Sequence, residues 1–160
     1  MNDHADGARI DAEIASTVVG SDPFAAAVRA TRMPMVITDP RLPDNPIVYV
    51  NEAFVKLTGY GRGEIIGRRC RFVQGPETDP ADVGRVRDAI ERRVTIELDL
   101  RNRRKDGTTF WNRLMVSPVF AADGELTYFF ASQYDVTLEK ERLVLLQKDR
   151  DALEAESARR

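Results

Sequence analysis

The chain has 160 residues, 42% hydrophobic and 31% charged, with a formal net charge of −2. That balance fits one globular domain with extensions and gives no bulk attraction to nucleic acid or an acidic membrane. One cysteine and one histidine exclude an internal disulfide. They also leave a zinc site, or a triad built on histidine, short of parts, since His4 lies in a polar tail.

The first seven residues lack the basic and apolar blocks of a signal peptide, and no apolar run is long enough to span a membrane. A cytoplasmic location is expected. Neither a Walker-type phosphate loop nor a Gly-x-Gly-x-x-Gly fingerprint occurs, so no enzyme is expected. Residues 8–19 are weakly helical. Asp22-Pro23 opens a short amphipathic helix over 24–32. Met35–Asp39 and Ile47–Val50 are β-type runs separated by a proline-punctuated turn, which predicts a hairpin. Asn51–Tyr60 reads as a helix with Phe54, Leu57 and Thr58 at helical spacing, and Glu64–Ile66 as a further short turn. Asp79-Pro80 starts a helix through Arg93, with Val83, Val86 and Ile90 on one face and Arg87 beside them. The period then changes to two. Ile96, Leu98, Leu100 and Asn102 share a face in the first late strand. Phe110, Asn112, Leu114 and Val116 do so in the second, and Phe129, Ala131 and Gln133 in the third. Asp106-Gly107 and Asp123-Gly124 mark the turns. The order β-β-α-α-α-β-β-β defines an α+β domain. Boundaries are expected at 1–33 for an N-terminal extension with a short helix, 34–137 for the core and 138–160 for a C-terminal helix.

Two features carry chemistry. In Gly67–Gly75, read as a short helix, Cys70, Val73 and Gln74 share one face. A single cysteine with no histidine beside it is either a small buried hydrophobe or a thiol whose reactivity comes from a ligand. Asn102, Asn112 and Gln133 lie on the apolar faces of three consecutive strands. Burying an amide without partners costs about 1–3 kcal/mol. The three therefore form a mutual hydrogen-bond network, contact a flat polar ligand, or sit at strand ends in water. Arg71 and Arg87 are the candidate anion holders.

From Met35 to Thr137 these residues resemble the LOV (light-oxygen-voltage) family, the flavin-binding blue-light sensors of the PAS superfamily. The likeness runs through Ile-Thr-Asp-Pro-Arg-Leu-Pro-Asp-Asn-Pro at 37–46 and Leu-Thr-Gly-Tyr at 57–60. It continues through Gly-Arg-Arg-Cys-Arg-Phe-Val-Gln-Gly-Pro-Glu-Thr-Asp at 67–79 to Arg87, Asn102, Asn112 and Gln133. The resemblance implies a five-stranded antiparallel sheet with helices on one face, cradling FMN. It implies that Cys70 is photoactive, its thiol adding reversibly to the flavin C4a carbon under blue light. Asn102 and Asn112 would bond the pyrimidine edge, and Gln133 would sense N5 by turning its amide. Thr38, Asn45 and Gln74 match positions around the flavin and its ribityl chain. Val36, Val73, Ile90, Leu114, Val116 and Phe129 would form apolar walls, and Arg71 and Arg87 would hold the phosphate. The short connection from Gly75 to Asp79 favours FMN over FAD. Two residues depart from the family pattern: Arg69 stands where an Asn is usual, and Val73 where a Leu is commoner.

The sequence also supports two other readings of such a module: a flavin-binding redox or ligand-sensing PAS domain, and a PAS domain that only dimerises. The polar helix from Thr137 carries Leu143, Leu146 and Leu153, with Leu138 and Leu145 seven apart. Trp111, Met115, Tyr128, Phe130 and Tyr134 project from the opposite sheet face. A homodimer through the flanking helices and that face is expected, either as a short LOV protein or as the sensor fragment of a larger one whose effector is absent from the chain.

Overall fold

The computed structural model describes residues 31–160. The helix expected over 8–19 lies outside them, as does most of the one expected over 24–32. Thr31 and Arg32, the described residues of that span, are not helical.

Strands β1 (Met35–Thr38) and β2 (Ile47–Val50) form the early antiparallel hairpin. Its loop closes with Asp39 N–H donating to Pro46 O at 3.0 Å. Asp44 and Asn45 both turn left-handed there, with φ of 70° and 50°, a conformation that short polar side chains tolerate. Helix α1 (Glu52–Thr58) follows at once. The Asn51 side chain caps it, accepting from Phe54 N–H at 3.1 Å and from Met35 N–H at 2.9 Å, so one amide starts the helix and ties it to β1. Gly59, at φ 78°, ends it. Helix α2 (Arg62–Ile65) is one turn long.

The chain then returns to β2. Gly67 N–H donates to Ile47 O and Ile47 N–H to Arg68 O, both at 2.8 Å. Cys70–Val73 is a 3-10 turn. Helix α3 (Pro80–Arg92) starts from the Asp79 cap, whose carboxylate accepts from Ala81 N–H at 2.9 Å, and stops where Arg93 turns left-handed.

Strands β3 (Ile96–Arg103), β4 (Thr109–Phe120) and β5 (Leu126–Asp135) complete one five-stranded sheet. Its order is β2-β1-β5-β4-β3, and every neighbouring pair is antiparallel. The last strand in sequence is thus the central one. One face of the sheet, with α1, α2 and the 3-10 turn, encloses the core of Val36, Ile47, Val50, Phe54, Ile65, Val73, Val116, Phe129 and Ala131.

The opposite face is less open than the alternation suggests. Tyr128 is buried, because the strand order sets β5 beside β1 and brings its ring against Val48, with Ile37 and Tyr49 packed alongside. The Arg41 guanidinium lies 4.7 Å from its ring centre. Trp111, Met115 and Phe130 are half-buried, and only Tyr134 of that set is exposed. Helix α4 (Thr137–Ala158) leaves from this face and buries none of its own residues. Its root is tied down by charge. Lys140 reaches Asp99 at 3.0 Å and lies 4.6 Å from the Trp111 ring centre, while Arg113 pairs with Asp99 at 3.0 Å and with Glu139 at 3.7 Å. The Arg113 hydrogen bond foremost, with Lys140 also bonded, holds the Asp99 carboxyl below the usual carboxylate range. Among the described residues no helix is long and apolar enough to cross a membrane.

Candidate functional site

A cavity of about 370 Å³ opens between the sheet, α1, the 3-10 turn and α3. Every site residue singled out from the sequence lines it. From the sheet come Val36, Thr38, Asn102, Asn112, Leu114, Val116, Phe129 and Gln133. From the loops and helices come Asn45, Cys70, Arg71, Val73, Gln74, Arg87 and Ile90.

The amides form a diagonal row. Leu100 pairs with Asn112 and Leu114 with Gln133. Asn102 is therefore the diagonal neighbour of Asn112 across β3 and β4, and Asn112 that of Gln133 across β4 and β5, within reach of long polar side chains. Asn112 Nδ2 donates to Asn102 Oδ1 at 2.8 Å, and Asn102 Nδ2 donates to Arg101 O at 3.2 Å. All three amides are at most 4% exposed, which removes the reading that they sit at wet strand ends. The network between them is incomplete. Asn112 Oδ1 and Gln133 Oε1 are buried without a partner, and so are Thr38 Oγ1 and Asn45 Oδ1 on the same cavity wall. Each orphan of this kind costs about 1–3 kcal/mol.

Cys70 opens the 3-10 turn and Val73 closes it, one above the other as the three-residue period demands. Gln74 is not part of that face. It is the extended residue after the turn and reaches the cavity from there. The Cys70 surface is open towards the cavity, while protein packed around the sulfur pushes the thiol up to about 12 by desolvation. A raised thiol value means that Cys70 stays protonated well above the pH at which a free cysteine ionises. Alkylation of Cys70 by iodoacetamide, with flavin removed, is accordingly expected to reach its half-maximal rate at a higher pH than that of a free cysteine, and a midpoint at or below the free value would contradict the raised thiol.

Arg71 and Arg87 are exposed at the rim, and among the described residues neither has a carboxylate within ion-pair distance. Arg69 differs. Its Nη2 lies 2.5 Å from Asp44 Oδ1, and both residues line the cavity.

Sequence reasoning left out Phe54, Leu57, Leu100, Phe110 and Ala131 as site residues, although they also line the cavity. The signal was present for all five. Phe54 and Leu57 are three apart on the inner face of α1, and the other three sit two residues from a chosen position on the same strand face. Thr78 carried no such signal. It is buried, donates to Arg101 O at 2.5 Å and accepts from Gly75 N–H at 3.1 Å, tying the end of the cysteine segment to β3. Among the described residues no group of three or more His, Cys, Asp or Glu could hold a metal ion.

Known proteins resemble this chain in sequence and fold. The family model for the PAS domain matches residues 32–138. A blue-light-activated histidine kinase of Brucella canis is 55% identical over 139 residues, which is 87% of this chain and 28% of the kinase. Among solved structures, a light-oxygen-voltage domain probed with a flavin analogue is 38% identical. That likeness covers 82% of this chain and 97% of the other, with a TM-score of 0.71. The light-state structure of the blue-light photoreceptor Aureochrome1 LOV is 41% identical, covering 77% and 96%, with a TM-score of 0.67. The chain belongs to the PAS domain family. Within that family it is a LOV domain, of the blue-light photoreceptor branch.

LOV domains imply a flavin, and the residues here fit one. An isoalloxazine is flat, apolar across its rings, and edged with both donors and acceptors. The cavity offers apolar walls and, on the same surface, the four partnerless polar atoms of Thr38, Asn45, Asn112 and Gln133.

Proposed function

We propose that this chain senses blue light through FMN and reports it by changing the packing of its C-terminal helix. The observation that supports this most is the set of orphaned polar atoms facing a cavity whose wall holds the chain's single cysteine. The chemistry that flavin supplies when bound is a blue-light-excited ring open to reversible addition of a thiol. Cys70 brings sulfur and proton together, because its raised thiol stays protonated, so no histidine base is required. Asn102 and Asn112 would hold the edge of the ring with their side-chain amides. Arg71 and Arg87, which have no carboxylate partner among the described residues, would hold a phosphate at the rim.

Gln133 is the relay. Turning its amide exchanges an acceptor for a donor at the same place, so a change in protonation opposite it changes which orientation is stable. Two residues on, the Asp135 carboxylate accepts from Thr137 N–H at 3.0 Å and Thr137 Oγ1–H at 2.6 Å. Val136 N–H donates to Trp111 O at 2.9 Å. A shift of β5 is therefore passed directly to the first turn of α4. The exposed Leu138, Leu143, Leu145, Leu146 and Leu153 of α4 suit a second copy of the chain, at positions spaced for helix pairing. The chain spans 28% of the length of its curated kinase relatives.

The test is illumination of the purified protein. It is expected to be yellow, to bleach in blue light, to recover in darkness and to change hydrodynamic size between the two states. The Gln133→Leu variant is expected to bleach but to lose most of the size change. A protein that takes up no flavin overturns the reading, and an unaltered size change in Gln133→Leu overturns the relay.

A further inference from the structure

Arg69, the residue before Cys70, has a partner. Arg69 Nη2 and Asp44 Oδ1 are 2.5 Å apart across the cavity mouth. They join two segments distant in sequence: the β1–β2 loop and the turn that carries Cys70. The backbone bonds between Ile47 and Gly67–Arg68 already stitch those segments together, and the ion pair continues that seam outward to the rim. The left-handed pair Asp44 and Asn45 separates two tasks. Asp44 is exposed at the mouth, while the Asn45 side-chain oxygen is buried on the cavity wall. Among the described residues, Arg69 is the cavity-lining arginine with a carboxylate in ion-pair distance, and a guanidinium already paired has less to give a phosphate.

We propose that Asp44 and Arg69 form an electrostatic clasp over the cavity mouth, which slows the exit of bound flavin and keeps Arg69 off its phosphate. The proposal rests on the flavin reading above. Both side chains are about half exposed, at 62% and 48%. The pair is therefore weak at equilibrium and sensitive to salt; both partners line the cavity and are half exposed, so its effect is expected on the rate of release.

The experiment follows release of FMN and of riboflavin from the loaded protein by the rise in free-flavin fluorescence on dilution. In Asp44→Asn and in Arg69→Gln, release of both flavins is expected to be about two- to fivefold faster at low salt. The difference from the parent is expected to vanish at roughly 0.5 M salt, where the Debye length is only a few ångströms. The double variant Asp44→Asn with Arg69→Gln, which keeps a short polar side chain at the left-handed position, is expected to release flavin no faster than either single variant. Unchanged release in the single variants overturns the clasp. So does an effect confined to FMN, which would make Arg69 a phosphate ligand, and so does additive acceleration in the double variant. Amide hydrogen exchange of the flavin-free protein supplies an independent readout. Asp44→Asn is expected to speed exchange at residues 40–46 and 67–74 together, and acceleration of only one segment overturns the coupling. If the parent protein takes up no flavin, the functional reading fails while this exchange result still decides whether the two segments are clasped.

Discussion

Replacing Cys70 by Ala leaves the protein yellow and abolishes its bleaching in blue light. The chain has one cysteine, so no second thiol can substitute. The sulfur lines the cavity at the start of the 3-10 turn, and the substitution removes little more than a small apolar contact there. Flavin affinity is expected to stay within about tenfold of the parent, a shift of about 1.4 kcal/mol or less. The light-induced loss of the blue absorption band falls from nearly complete to undetectable. Difference spectroscopy before and after illumination checks both quantities. The same difference spectrum in Cys70→Ala and in the parent would remove Cys70 from its proposed role.

The double variant Arg71→Gln, Arg87→Gln separates FMN from flavin in general. A hydrogen bond to a charged group contributes about 1.5–3 kcal/mol. Both arginines are exposed at the rim, so the lower end of that range applies to each. Losing two such contacts costs about 3 kcal/mol, which weakens FMN roughly a hundredfold. Riboflavin, which lacks the phosphate, is expected to bind the variant and the parent within about threefold of each other. Fluorescence titration with the two flavins gives the comparison, repeated at higher salt, where the parent's preference for FMN is expected to shrink. Equal losses for both flavins would place these arginines in support of the fold, and no loss for FMN would remove them from the site.

The local part of this design was legible before any coordinates. Strand parity is a property of neighbouring residues, so Asn102, Asn112 and Gln133 could be set on the inner face from the alternation around them. The cap at Asp79 and the proline-punctuated loop at 40–46 depend on a few adjacent residues and read directly. The C-terminal helix was equally readable from composition. The family resemblance then added the flavin, which parity alone left as one option among three.

Other features depend on residues far apart in the chain. That the amides form a diagonal row depends on the register between β3, β4 and β5, which side-chain packing and turns settle together. That Tyr128 is buried depends on β5 lying beside β1, a pairing no local window contains. Gln74 reaches the cavity from an extended residue because the cysteine segment forms a 3-10 turn held at both ends, by Ile47 on one side and Thr78 on the other. The partner of Arg69 was invisible for the same reason. A residue beside the cysteine meets Asp44 only after a left-handed loop and a two-bond seam have brought the two segments together. Which residue types face inward and where the chain turns was settled along the chain, because those follow from local stereochemistry and periodicity. Which inward groups meet, and which of the described ones are left without a partner, came only with the fold. Those outcomes depend on distances between segments that only the folded chain brings together.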